Sequence, residues 1–311
     1  MHLRIPTPEI PRRGTFRLAL LVGIGIALTA CHPGNQEAKR LRAACDAGDA
    51  KACNDLGMRL QSGRYVLRDR AGAAVRFEQA CRGNIGDACA SLGAMYQNGS
   101  GVTRDSARAR ELLRQGCEHG GMDGCTGLGT LHRLGAGIQR DAALAARLFR
   151  QACDGGQLMG CAFLGELYAA GEGLEQDFAR AAALFRQACD STRARGCLGL
   201  GRLHADGSGV AANDSIAVTL FKKACDGREL EGCFQLAVHH ETGRGVPQNF
   251  EQAARLYYRA CDDDHAASCY NLAGLHQKGA GTYRSTERAT ALTRRACDLG
   301  HAEACPRIKG T

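Results

Sequence analysis

Sixteen of the seventeen cysteines in this 311-residue chain stand in two series that never lose register. The first is Cys45, Cys81, Cys117, Cys153, Cys189, Cys225, Cys261 and Cys297. The second is Cys53, Cys89, Cys125, Cys161, Cys197, Cys233, Cys269 and Cys305, each eight residues after its partner. Both series keep a period of 36 without one insertion. A unit of about 20–50 residues is one supersecondary element, too small to bury its own apolar face, so neighbouring units must stack into a solenoid. Length alone would suggest two ordinary domains. The register replaces that reading with one array over residues 37–311.

Other positions keep the same beat. Gly63, Gly99, Gly135, Gly171, Gly207, Gly243 and Gly279 close apolar-periodic stretches, where a helix end calls for left-handed backbone. Six residues later stand Asp69, Asp105, Asp141, Asp177, Asn213, Asn249 and Ser285, all good N-caps. Ala73, Ala109, Ala145, Ala181, Ala217, Ala253 and Ala289 follow, small enough for a close helix crossing. Phe77, Leu113, Phe149, Phe185, Phe221 and Tyr257, most of them preceded by Leu, supply the core of the second helix. Each unit therefore reads as helix A, a Gly-bounded turn, an N-capped helix B and a short turn into the next unit. In the fourth unit, A is expected near Met159 to Ala170 and B near Phe178 to Ala188. Seven pairs are expected, led by one B helix near Glu37 to Ala44 and ended by a stub at His301 to Ile308.

The stretch Gly160-Cys161-Ala162-Phe163-Leu164-Gly165-Glu166-Leu167-Tyr168-Ala169-Ala170-Gly171-Glu172-Gly173-Leu174 resembles Sel-one-like repeats (SLR), relatives of the tetratricopeptide repeat. The paired-cysteine version resembles the secreted, cysteine-rich Hcp-type subgroup. The resemblance implies an all-α fold: a right-handed α/α superhelical solenoid of 36-residue helix pairs with one disulfide per repeat. It also implies a concave surface offered to a protein or peptide partner. Some Hcp-type proteins are described as penicillin-binding or weakly β-lactam-hydrolysing, which raises a β-lactamase-like hydrolase as the alternative function.

Seventeen cysteines are too many for a reducing cytosol unless they hold metal. Two cysteines eight apart on one continuous helix would lie about 12 Å from each other, beyond the roughly 7 Å limit for a bridge. A turn must therefore intervene. Cys153 closes a B helix, Asp154-Gly155-Gly156-Gln157 turns, and Cys161 opens the next A, so the pair can bridge an antiparallel joint. Eight such bridges are expected. The competing reading is thiolate-bound zinc, which usually uses a CxxC hairpin that this chain lacks. No metal or cofactor is assigned.

Cys31 alone stands outside the register. A basic stretch with Arg12, Arg13 and Arg17 precedes an apolar run from Leu18 to Leu28, too short to span a membrane. Leu28-Thr29-Ala30-Cys31 then resembles the bacterial lipobox, in which the cysteine becomes the lipidated N-terminus. The expected organisation is a lipoprotein signal peptide at residues 1–30, a lipidated N-terminus and linker at 31–36, and the solenoid at 37–311. An ordinary secretory signal with a stray cysteine is the alternative. His32 follows the anchor where inner-membrane retention would call for Asp, so the outer membrane is the expected destination. Removing residues 1–30 takes away four Arg and one Glu, and the net charge falls from +8 to +5. With acidic residues mixed throughout and no basic-aromatic run, nucleic acid is not an expected partner. Membrane contact is expected through the lipid alone, and the mature protein as a monomer.

The histidine series His132, His204, His240 and His276 shares the helix A position of Tyr96 and Tyr168, with His239 as a neighbour. Tyr96, His132, Tyr168, His204, His240 and His276 are the candidate partner-facing stripe. Stacked units about 10 Å apart set neighbouring imidazoles too far apart to share one metal easily. The Gly-x-Gly sequences follow no strand and recur as structural turns, not phosphate cradles. No Ser is followed three places later by Lys and no Lys-Thr-Gly occurs, so no catalytic residue is assigned.

Overall fold

The structure, a computed structural model, describes residues 33–189 and 194–308. Cys31 and the signal sequence lie outside the described residues. A lone helix, α1 (Pro33–Asp46), leads the array. The first three pairs are α2 (Ala50–Ser62) with α3 (Arg70–Arg82), α4 (Gly86–Asn98) with α5 (Ser106–Glu118), and α6 (Met122–Leu134) with α7 (Ala142–Asp154). Then come α8 (Leu158–Ala170) with α9 (Phe178–Ala188) and α10 (Ala194–Asp206) with α11 (Asp214–Asp226). The last two are α12 (Leu230–Thr242) with α13 (Phe250–Asp262) and α14 (Ala266–Lys278) with α15 (Thr286–Asp298), before the stub α16 (Cys305–Ile308). Helix α1 begins four residues before the expected Glu37, because Pro33 suits a first helical position whose N–H has no partner in any case.

The boundaries follow from the residues at register. All seven B helices are capped by the expected side chains, with oxygen to backbone N–H distances of 2.8–3.2 Å. Each such cap is worth about 1 kcal/mol over Ala. The seven glycines after the A helices hold φ between 66° and 75°, and so end each helix in the left-handed conformation. Behind the caps, Ala73, Ala145, Ala181, Ala217 and Ala253 are wholly buried, and Phe77, Phe149, Phe221 and Tyr257 with them.

A second glycine series lies inside the A helices. A Cβ at Gly57, Gly129, Gly165 or Gly201 would stand 2.7 or 2.8 Å from the ring of Phe77, Phe149, Phe185 or Phe221. Interior glycine weakens a helix by about 1 kcal/mol relative to Ala; here it opens the seat in which helix B places its ring. Where Ala237 and Ala273 replace glycine, the facing residues are Tyr257 and Thr293.

Eight disulfides close the joints, Cys45–Cys53 through Cys297–Cys305, with Cα atoms 4.4–4.8 Å apart. Each ties the end of one B helix to the first turns of the next A helix, or of the terminal stub. The sulfurs are thus consumed pairwise, and the zinc reading of these sixteen cysteines falls away. A left-handed residue reverses the chain inside most joints: Gly48, Asn84, Gly120, Gly156, Arg228, Asp264 and Gly300.

Consecutive helices pack throughout, and neighbouring A helices such as α4 and α6 or α8 and α10 also touch directly. Among the described residues neighbouring B helices make no comparable contact, so the A helices lie closer together than the B helices and the face they share is the inner side. Disulfide pairing predicts that the unfolded exported protein exposes no reactive thiol among the sixteen, as titration with a thiol reagent would read. Replacing Cys153 and Cys161 together by Ser should destabilise the α7–α8 joint by about 2–3 kcal/mol, measured as faster amide exchange confined to the two flanking helices.

Candidate functional site

The inner side of the A helices carries a ladder of ion pairs that runs from unit to unit. Glu166 on α8 is gripped from both sides: Arg133 on α6 lies 2.6 Å from one carboxylate oxygen and Arg195 on α10 lies 2.5 Å from the other. Arg133 also reaches Glu172 at 3.4 Å, and Arg140 bonds the same carboxylate. One unit on, Arg202 lies 2.7 Å from Glu231 on α12, and His265, in the turn before α14, lies 3.2 Å from it. Glu166 and Arg202 share a register position, as do Arg195 and Glu231. The rung therefore repeats with its charges exchanged.

Electrostatics follow the geometry. Burial alone would raise the Glu231 carboxyl, but hydrogen bonds from His265, Gln235 and Arg202 outweigh it and hold the group at about 2, far below its usual 4.5. For Arg195, burial disfavours the charged guanidinium, yet the Glu166 hydrogen bond prevails and the pKa moves up. The Arg195 guanidinium also lies 4.7 Å over the Phe163 ring, whose other neighbour is Phe149 at 5.0 Å.

Between the two rungs a hollow of about 580 Å³ opens, with Phe178, Phe185, Leu198 and Leu203 supplying apolar wall and Asp206, Glu229 and the ladder residues supplying charge. Gly199 lines it without a side chain. Gly199 occupies the register of Phe163 in the unit before and Gln235 in the unit after, and a Cβ there would stand 2.6 Å from the Phe185 ring.

The Tyr96, His132, Tyr168, His204, His240 and His276 series lies at the loop end of the A helices. Each of these residues accepts, through its backbone carbonyl, the N–H of the following B-helix cap at 2.8–3.0 Å. The rings of His204 and His276 turn toward the A–B loop, with Nδ1 donating to the carbonyls of Ala211 and Tyr283 at 3.1 and 3.0 Å. Tyr168 is buried and its hydroxyl accepts from Arg150 at 2.9 Å. His204 and His276 thus brace their loops, the Nδ1 atoms of His132 and His240 are buried without a hydrogen-bond partner among the described residues, and Leu203, next to His204, lines the hollow. His239 is a core residue, 2% exposed and packed 5.3 Å from the Phe221 ring. Burial and His239 together lower the pKa of His240.

One arrangement has the outline of a hydrolytic triad. Ser268 Oγ lies 2.8 Å from His265 Nδ1, and His265 Nε2 lies 3.2 Å from Glu231. Ser268, however, is completely buried, at a register where four other units carry glycine for close helix packing. Its backbone N–H donates to the same Nδ1 at 3.2 Å, which makes His265 the N-cap of α14. The arrangement holds a helix start and offers no nucleophile to a substrate.

The ladder and the hollow were not read from the sequence. Their signal is a charged residue paired with its opposite 29 positions on, Glu166 with Arg195 and Arg202 with Glu231. It becomes visible when the sequence is stacked in rows of 36.

Stacked antiparallel pairs with N-capped B helices and glycine-seated rings define an α/α solenoid of tetratricopeptide-like repeats. The Sel1 repeat matches residues 50–84, 86–121, 123–157, 158–192, 194–228, 230–265 and 266–301, and the chain belongs to that family. Among solved structures, a protective antigen of uropathogenic Escherichia coli with an SLR fold is 25% identical, with a TM-score of 0.66. The similarity covers 87% of this chain and 58% of that one, so this chain spans little more than half the antigen's length. A Sel1 repeat protein from Oxalobacter formigenes is 22% identical over 88% of this chain and 79% of that one, with a TM-score of 0.65. Helicobacter pylori cysteine rich protein B is 26% identical over 39% of this chain and 87% of that one, with a TM-score of 0.33. No curated protein matches the chain. The protein is thus a Sel1 repeat scaffold, and its eight bridges suit an oxidising compartment of the envelope or beyond it.

The depressed Glu231 pKa makes a pH prediction. The carboxylate is favoured in the folded protein, so its stabilisation is present above about pH 4.5 and lost as pH falls toward 2. With allowance for solvent screening, Glu231→Gln should lose on the order of 1 kcal/mol at neutral pH. The difference between the two proteins in urea unfolding should vanish near pH 2.

Proposed function

We propose that this chain is a lipid-anchored, disulfide-stapled scaffold of the bacterial envelope that binds a protein or peptide segment along the inner face of its A helices. The observation that carries the reading is the hollow at Gly199, set between two charged rungs. Solenoids of this kind use such extended curved surfaces for recognition. An apolar side chain of a partner fits against Phe185, Leu198 and Leu203, while Glu229, Asp206 and the half-exposed Arg202 meet its backbone or charged groups. The Tyr96, His132, Tyr168, His204, His240 and His276 series borders the groove at its loop end. Cys31 supplies the anchor, and His32 after it favours the outer membrane. The protein acts as a monomer, and no catalytic residue is assigned.

Crosslinking and pull-down from the native envelope test the reading, with a soluble Cys31→Ser protein as bait. A reproducible partner should be captured by the parent and at least tenfold less by Arg202→Ala of unchanged helicity. Recovery of no reproducible partner would sink the scaffold reading. So would robust hydrolysis of nitrocefin by the purified protein, which would favour the β-lactamase-like alternative.

A further inference from the structure

The first unit breaks the pattern in one loop. In units two to seven the A–B turn reads Gly-x-Gly, and the second glycine holds a left-handed φ of 65–76°. At Gly101, Gly173, Gly209, Gly245 and Gly281 a Cβ would collide with the first residue of the preceding B helix, so the glycine is what lets the units close. The first unit reads Gly63-Arg64-Tyr65-Val66-Leu67 instead. Tyr65 keeps the left-handed backbone, φ 62°, although a side chain is disfavoured there. At this point the units do not close: a cavity of about 420 Å³ separates Glu37 and Leu41 of α1 from Met58, Arg64 and Tyr65. Tyrosine here forgoes the backbone freedom that glycine has at this position, and its exposed side is open to a role in binding.

Its surroundings suggest one. Leu67 is 92% exposed and Tyr65 45% exposed. Arg64 lies 5.4 Å over the Tyr65 ring, and Arg68 and Arg70 are exposed on the same loop. Residues 32–84 hold ten Lys and Arg against six Asp and Glu, a net +4 out of the +5 carried by residues 31–311. The cavity sets this loop beside the beginning of α1, and Pro33 is only two residues from Cys31. An apolar pair beside Arg64, Arg68 and Arg70, with Asp69 engaged in capping α3 and Glu37 and Asp55 turned to the cavity, at the end of the molecule nearest the proposed Cys31 anchor, matches the chemistry of an anionic bilayer surface. Apolar side chains enter the headgroup boundary there and basic ones meet the phosphates.

We propose that the Arg64–Arg70 loop is a lipid-contacting foot, by which the first unit seats on anionic phospholipid. The anchor holds the chain at the bilayer, and a basic, apolar foot orients the first unit against its surface. The proposal takes proximity to the membrane from the Cys31 reading, but its test does not use the lipid and is independent of any partner in the groove.

The probe is sedimentation of the soluble Cys31→Ser protein with vesicles of phosphatidylcholine containing about one third phosphatidylglycerol, a fraction high enough for polybasic binding. The parent should bind these vesicles and be released by 0.5 M salt on the order of the screening expected for surface charges. Tyr65→Gly with Leu67→Gln restores the turn of the other units, so the variant folds, and binding should fall at least tenfold. Arg64→Gln, Arg68→Gln and Arg70→Gln together should remove the salt-sensitive part. Tyr283→Gln, at the register of Leu67 in the seventh unit, should bind like the parent. Failure of the parent to bind, or equal loss in the Tyr283 variant, would overturn the proposal. A parent that self-associates through this loop, with vesicle binding absent and the Tyr65/Leu67 variant monomeric in sedimentation velocity, would assign the surface to a second copy instead.

Discussion

Each unit of this solenoid depends on a covalent joint it shares with its neighbour. A helix pair of this size cannot bury its own faces, and the core that stacking creates is built from Ala, Leu and, in five of the seven pairs, one helix B ring. Such a core leaves little margin against the conformational entropy of the chain. The bridges act where that margin is thinnest, at the turn between units, because they remove freedom from the unfolded joint. The order of the elements follows from this placement. A bridge inside a helix pair would stabilise units without aligning them, whereas a bridge across the joint fixes each unit relative to the next.

With the joints fixed, the inner face inherits a regular geometry. Side chains at one register fall in rows across the A helices, and a carboxylate in one row can meet guanidinium groups from the units before and after it. Glu166 does so with Arg133 and Arg195. Partly buried pairs of this sort add little net stability when desolvation is counted, but they orient charge along the groove. The exchange of sign between the Glu166–Arg195 and Arg202–Glu231 rungs makes the groove locally polar along its length. A partner would meet a definite direction there, as well as a hollow.

The parts legible in the sequence were those in which a single residue, repeated at the period, states its own conformational role. Asp69 and its equivalents cap helices, Gly63 and its equivalents end them, and the cysteines mark the joints; none needs a partner to be understood. The ring seats at Gly57, Gly129, Gly165 and Gly201 were passed over because their meaning lies in the aromatic residue 20 positions later. The ladder required pairs from different units, and the hollow is lined at Gly199 by a residue without a side chain. The tyrosine and histidine series kept its register, but His204 and His276 turned their rings toward the loops, where a carbonyl seven residues on accepts the Nδ1–H, while the Tyr168 hydroxyl meets Arg150 on α7. Periodicity places such a residue along the solenoid without fixing the direction of its ring.

The two kinds of turn differ in what a cut would do. A peptide bond broken between Gly155 and Gly156 lies inside the loop closed by Cys153 and Cys161, and both fragments stay tied by the sulfur bridge. A bond broken between Gly171 and Asp177 lies between one bridge and the next, and only noncovalent contacts, chiefly of α8 with α9 and α10, would hold the pieces. In a compartment populated by proteases, the array is therefore a chain whose links alternate between self-mending and vulnerable, and the vulnerable ones are the A–B loops, braced in two units by the His204 and His276 rings.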